Sequence, residues 1–256
     1  MNLLRTTILL LAFVVLVVWE GTAQNRSWGI KGGVNLGTPY MKPEEGSSGS
    51  LGLGPRLGAF VRQKFNEKLY FQLEVLYSVK GGNYKTPVSG DTLYEQVILG
   101  DTFYIPTWYE GWVEGEFGNR YIDFPLLARY QFSQRFSMLL GPQISYLIRG
   151  FNKGTADMQI GENYSTVYDE PFDISDKINK WDYSILLGTS YESRSRLNFD
   201  LGVSVGLRSI FEEGYSEMDG IVRNIYLSGT IGYRLSRAHP GTDPESTSAT
   251  LSECVD

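Results

Sequence analysis

An alternation of apolar and polar residues with a period of two, carried over segments too long for an ordinary globular sheet, constrains this chain most. It is plainest in residues 120–148, RYIDFPLLARYQFSQRFSMLLGPQISYLI, where Ile122, Phe124, Leu126, Ala128, Tyr130 and Phe132 interleave with Asp123, Arg129 and Gln131. Beyond a turn at Ser133 and Gln134 the pattern resumes. Phe136, Met138, Leu140, Pro142, Ile144 and Tyr146 take one face, and Ser137, Gly141, Gln143 and Ser145 the other. Successive side chains of a strand point to opposite faces, so the stretch is a long hairpin with one apolar and one polar face.

The same period runs through eight segments: roughly 28–36, 55–65, 68–79, 120–132, 135–148, 181–192, 196–208 and 222–235. Most exceed the ~5–6 residues usual in globular sheets and approach or pass the ~9–11 that cross a bilayer at a tilt. Their connections alternate. Asn66–Glu67, Ser133–Gln134 and Ser193–Ser195 are tight turns, whereas residues 37–53, 80–119, 149–180 and 209–221 are long. An all-β, eight-stranded antiparallel up-and-down transmembrane barrel of the outer-membrane type has this layout, with short periplasmic turns, long external loops and both termini on the periplasmic side.

The outer face would carry Leu69, Phe71, Leu73, Val75 and Tyr77 on the third strand and Leu197, Phe199, Leu201, Val203, Val205 and Leu207 on the seventh. A soluble lipid-binding barrel has the same period with its faces exchanged, and periodicity alone does not separate the two. Aromatics and charge do. Phe65, Tyr130, Phe132, Phe136, Tyr191 and Tyr233 all fall beside the short turns or the C-terminal strand end, where an interfacial girdle belongs. The four long connections hold 7 Lys+Arg against 18 Asp+Glu, while the strands and turns, with residues 24–27, hold 14 against 6. An eight-stranded barrel has room inside only for its own side chains, and unpaired charge there is costly. Lys31, Arg62, Arg129, Arg208 and Arg234 are therefore expected to pair with Glu74, Asp123 and Asp200 across a plugged lumen without an open channel.

At the N-terminus Arg5 precedes an apolar run, Ile8–Val18, and then the small residues Gly21, Thr22 and Ala23. That is the pattern of a secretory signal peptide cleaved after Ala23, and the run is shorter than the roughly 17–25 residues of a spanning helix. The expected organisation is a signal peptide at 1–23, a barrel domain at 24–235 and a polar, disordered periplasmic tail at 236–256. The lone Cys254 cannot form an internal disulfide.

The stretches WGIKGGVNLG, LGAFVRQKFNEKLYFQLEVLYSVKGG, RYIDFPLLARYQFSQRFSMLLGPQISYLI and NIYLSGTIGYRL together resemble the PorT-like outer-membrane β-barrel family. The resemblance is clearest in the strands, where Gly32, Gly33, Glu74, Asp123, Pro125, Gly141 and Pro142 are its recurring marks. It implies a structural or accessory outer-membrane protein associated with protein secretion, and it carries over no catalytic residue. The chain departs from such barrels by running on past Tyr233 and Leu235.

Outer-membrane barrel enzymes resemble one another in using a His base, and the single His239 lies in the tail, so no enzyme is expected. No cofactor or metal site is expected either, since one His and one Cys outside the barrel cannot make one. Acidic loops exclude nucleic acid as a partner. The expected partners are outer-membrane lipid and secretion-apparatus or other envelope proteins, around a monomeric barrel. The remaining candidate is the long connection 80–119, where Tyr104, Trp108, Tyr109 and Trp112 stand among Glu110 and Glu114. Aromatic rings flanked by carboxylates can hold a sugar or a peptide, or the carboxylates a cation. The plainer expectation is that these residues extend the third and fourth strands and pack on the other loops.

Overall fold

The computed structural model describes residues 26–40, 48–98, 101–161, 165–211 and 222–235, together with the side chains of most of them. The expected signal peptide and tail lie outside these residues. Ten strands follow one another: β1 Arg26–Tyr40, β2 Ser48–Lys64, β3 Leu69–Ile98, β4 Asp101–Gln131, β5 Phe136–Arg149, β6 Asn152–Ile160, β7 Ser165–Asp173, β8 Trp181–Glu192, β9 Leu197–Gly206 and β10 Arg223–Arg234. Among the described residues a 3-10 turn, Ser175–Lys177, precedes β8.

Eight of the strands close a ring. The order β3-β2-β1-β10-β9-β8-β5-β4 is completed by pairing of β3 with β4, and every pairing in it is antiparallel. Closure leaves no free edge, which a bilayer requires because no water is present there to satisfy backbone groups. Close approach inside the narrow ring needs glycine at particular points: a Cβ on Gly33 would sit 1.9 Å from the Gly229 carbonyl oxygen, and one on Gly141 1.9 Å from that of Leu126.

The two faces are inverted relative to a soluble protein. Among the described residues 26 buried side chains are polar or charged and 14 are hydrophobic, while Leu57, Val75, Leu140, Leu187, Leu201 and Ile231 stand on the exposed face. A continuous apolar exterior of this size is stable only against lipid. Rings gather at both rims. Phe132, Phe136, Tyr191 and Phe199 form a chain of contacts at the turn end, with centroids 5.1–6.3 Å apart, and Tyr146 meets Trp181 edge-on at the other.

Two of the long connections are largely strand. Residues 80–98 and 101–119 extend β3 and β4, as the plainer expectation had it, and stay in register from Lys80↔Asn119 to Ile98↔Asp101. Residues 149–180 are not loop throughout, because they contain the β6–β7 hairpin, and β6 pairs with β4 from Phe117↔Asn152 to Tyr109↔Ile160. A four-stranded sheet, β3-β4-β6-β7, therefore rises beyond the barrel wall. Alternation had marked only the barrel-wall part because above it neither face is uniformly apolar. Under this sheet Tyr84, Phe117, Ile178, Ile210, Phe211 and Val222 form an apolar cluster that closes the loop end of the lumen.

Candidate functional site

Along β4 the inward residues run Phe117, Tyr121, Asp123, Leu127 and Arg129, and they define the layers of the lumen. Below the apolar cap lies a first ionic layer. Lys80 Nζ is 3.1 Å from Asp123 and 3.6 Å from Asp182, between the rings of Tyr121 and Tyr226, and Arg56 is 3.4 Å from Asp123. Arg56 also donates to Gln143 (3.0 Å), and Asn224 donates to Asp182 (2.8 Å). Leu127, Leu139 and Leu186 then make a dry layer.

The second ionic layer is a closed circuit near the turn end. Lys31 donates to Glu74 and to Asp200, each at 2.7 Å; Gln72 donates to Glu74, and Arg62 to Gln72 and Glu192. Arg129 donates to Ser190 (2.8 Å) and lies 2.9 Å from Glu192, and Ser190 donates to Asp200. Arg234 stands 3.7 Å from the other oxygen of Glu192. Seven strands contribute to this layer, so the charges tie opposite walls together.

The external sheet carries the other candidate residues. Strand parity places Trp108, Glu110, Trp112 and Glu114 on its outer face, all exposed. Lys85, directly across from Glu114, is ion-paired with it and lies 5.6 Å from the Trp112 ring centre. Asp157 faces Trp112 from β6 and Asp91 faces Trp108 from β3. Tyr109 is on the inner face, over Gly90, its cross-strand partner. The side chain of Tyr104 lies outside the described residues.

A family model described as the outer membrane protein beta-barrel domain matches residues 22–212, well over half of the chain. The chain belongs to this outer-membrane β-barrel family. No curated protein sequence matches it significantly. Among solved structures it is similar to the Neisserial surface protein A, NspA, at 14% identity and a TM-score of 0.35, covering 80% of this chain and 96% of that one. It is also similar to Ail, the attachment invasion locus protein of Yersinia pestis, at 14% identity and a TM-score of 0.38, with 82% and 99% covered.

In this outer-membrane barrel, seven of the eight charged residues singled out from the sequence, Lys31, Arg62, Glu74, Asp123, Arg129, Asp200 and Arg234, occur in the two ionic layers. Arg208 does not. β9 ends at Gly206, the parity breaks, and Arg208 is exposed. The pairing expected from the sequence did not include Arg56, Lys80, Asp182 or Glu192. Strand parity could have found them: Arg56 is in phase with Arg62, Lys80 with Glu74, and Glu192 with Asp182. Lys80 fell just beyond the assumed end of its strand, and Glu192 on the last position of its own.

Proposed function

We propose that the protein is a non-enzymatic surface-recognition barrel: a sealed transmembrane pedestal whose extension β3-β4-β6-β7 presents Trp108 and Trp112, with Glu110 and Glu114 between and beside them, to a sugar or peptide outside the cell. The observation that carries this reading is the outward display of two tryptophans on a paired sheet. Rings held on a rigid element cost little ordering entropy on binding. In this reading the signal peptide is removed after Ala23, the turns and both termini are periplasmic and the long connections extracellular. The barrel is monomeric and uses no cofactor, and the tail is inert.

The test is a glycan and peptide array probed with the protein in nanodiscs. Binding that is lost in Trp108→Ala/Trp112→Ala, with unboiled electrophoretic migration unchanged, supports recognition by this face. Binding that is the same with and without the two rings refutes it. A second reading, participation in protein secretion within the PorT-like branch, is favoured by the strand motifs around Gly33, Glu74, Asp123 and Gly141. It predicts that a strain without the gene accumulates secreted cargo in the periplasm and releases it again on complementation.

A further inference from the structure

The turn end of the lumen carries positive charge that its own carboxylates do not balance. Arg62 and Arg129 both reach Oε1 of Glu192, and Arg234 approaches Oε2. The next carboxylate, Asp200, is 3.9 Å from Arg129 and already bound to Lys31 at 2.7 Å. Counted through this layer, Lys31, Arg62, Arg129 and Arg234 face Glu74, Asp200 and Glu192.

The surplus coincides with unused donors. Arg62 and Arg129 are 5% and 1% exposed, yet Nη2 of Arg62 and Nη1 of Arg129 have no hydrogen-bond partner among the described residues. A buried charged donor without an acceptor is costly. A water molecule could accept such a bond but could not neutralise the charge. Through Nη1 of Arg62 and Nη2 of Arg129, both guanidiniums touch the same oxygen of Glu192, so the spare groups belong to arginines that share one carboxylate. Glu192, 19% exposed, connects the cluster to solvent. Among the described residues the turn-end rim adds Arg26, Lys64, Lys68, Arg135, Arg194 and Arg196 against Glu67, a field that draws anions toward the mouth.

We propose that this mouth is an oxyanion site that seats a phosphate group, free or as a lipid headgroup, between Arg62, Arg129 and Arg234. The planar guanidinium fork matches a phosphate's oxygens, and Glu192 occupies part of the site as an internal competitor.

The competitor makes the test sharp. Full-length protein refolded in zwitterionic micelles is titrated calorimetrically with inorganic phosphate at fixed ionic strength. In parallel, its unfolding temperature is compared in phosphatidylcholine vesicles with and without phosphatidylglycerol. Saturable one-to-one phosphate binding identifies a free anion, and a rise with phosphatidylglycerol alone identifies a headgroup; either supports the site. Arg62→Gln is expected to weaken the effect about tenfold and Glu192→Gln to strengthen it about as much. Each variant must first show the native unboiled migration, and Arg234→Gln, at the half-exposed edge, replaces Arg62→Gln if that protein does not fold. No response in either arm overturns the proposal, as does a response unchanged by loss of the arginine or weakened by Glu192→Gln.

Discussion

Asp123 is the residue on which the upper lumen turns. It is fully buried, and it is the carboxylate nearest to both Lys80 and Arg56, at 3.1 and 3.4 Å. Replacing a buried ion pair as a unit can be neutral, but removing one partner strands the other charge. Asp123→Ala strands Arg56 and leaves Lys80 with Asp182 alone, at 3.6 Å. It is expected to destabilise the barrel by about 3–5 kcal/mol, measured by urea unfolding in lipid vesicles; a loss below about 1 kcal/mol would mean that water reaches this layer. Asp123 was readable from the sequence as an inward charge because it interrupts the run Ile122, Phe124, Leu126. Its partner Lys80 was not, because pairing beyond residue 79 depends on β4 lying alongside.

At the scale of elements, the hairpins differ in what holds them. The barrel hairpins turn tightly: Ser193 N–H donates to the Leu197 carbonyl at 2.8 Å, and Arg196 takes the left-handed conformation, φ 66°, within that turn. The β6–β7 hairpin is secured at its base by exposed groups instead. Lys153 lies 2.8 Å from Asp173, which also accepts from the backbone and side chain of Ser175. These contacts, the Lys153 hydrogen bond first, pull the Asp173 carboxyl down to about 2. Because the folded value is depressed, the contribution is complete above the ordinary Asp range near ~3.9 and is lost as pH falls through about 2. Carboxyl NMR should therefore find Asp173 titrating well below the ordinary Asp range, and Lys153→Ala should move it back up. A titration in the ordinary range in the parent protein would show that the base of this hairpin is not formed in solution. None of this pairing was visible in the sequence, since Asn152–Ile160 and Ser165–Asp173 have no sustained alternation and become strands only as β6 pairs with β4 and β7 with β6.

For the whole molecule, the inversion of faces makes a prediction that a soluble sheet would not share. Leu201 lies midway along β9 on the exposed face. Leu201→Arg should cost about 2–4 kcal/mol in a bilayer, read from refolding titrations into vesicles; a change within about 0.5 kcal/mol would place this face in water. The sequence by itself determined the eight wall strands, the polarity of their faces and the tight turns, because a period of two is local and a barrel repeats it around the ring. It also marked most charges of the lumen, since a charge in phase with a polar face has to point inward. Only the tertiary structure decided which charge meets which: Lys31 joins Glu74 and Asp200 across 43 and 169 residues of chain, and no local pattern encodes a distance through the lumen. It decided as well the pairing of β4 with β6 and the register in which residues 80–98 and 101–119 extend the wall strands. Their alternation fades where lipid no longer selects one face, and what holds them upright is β6, the apolar cap beneath them, and each other.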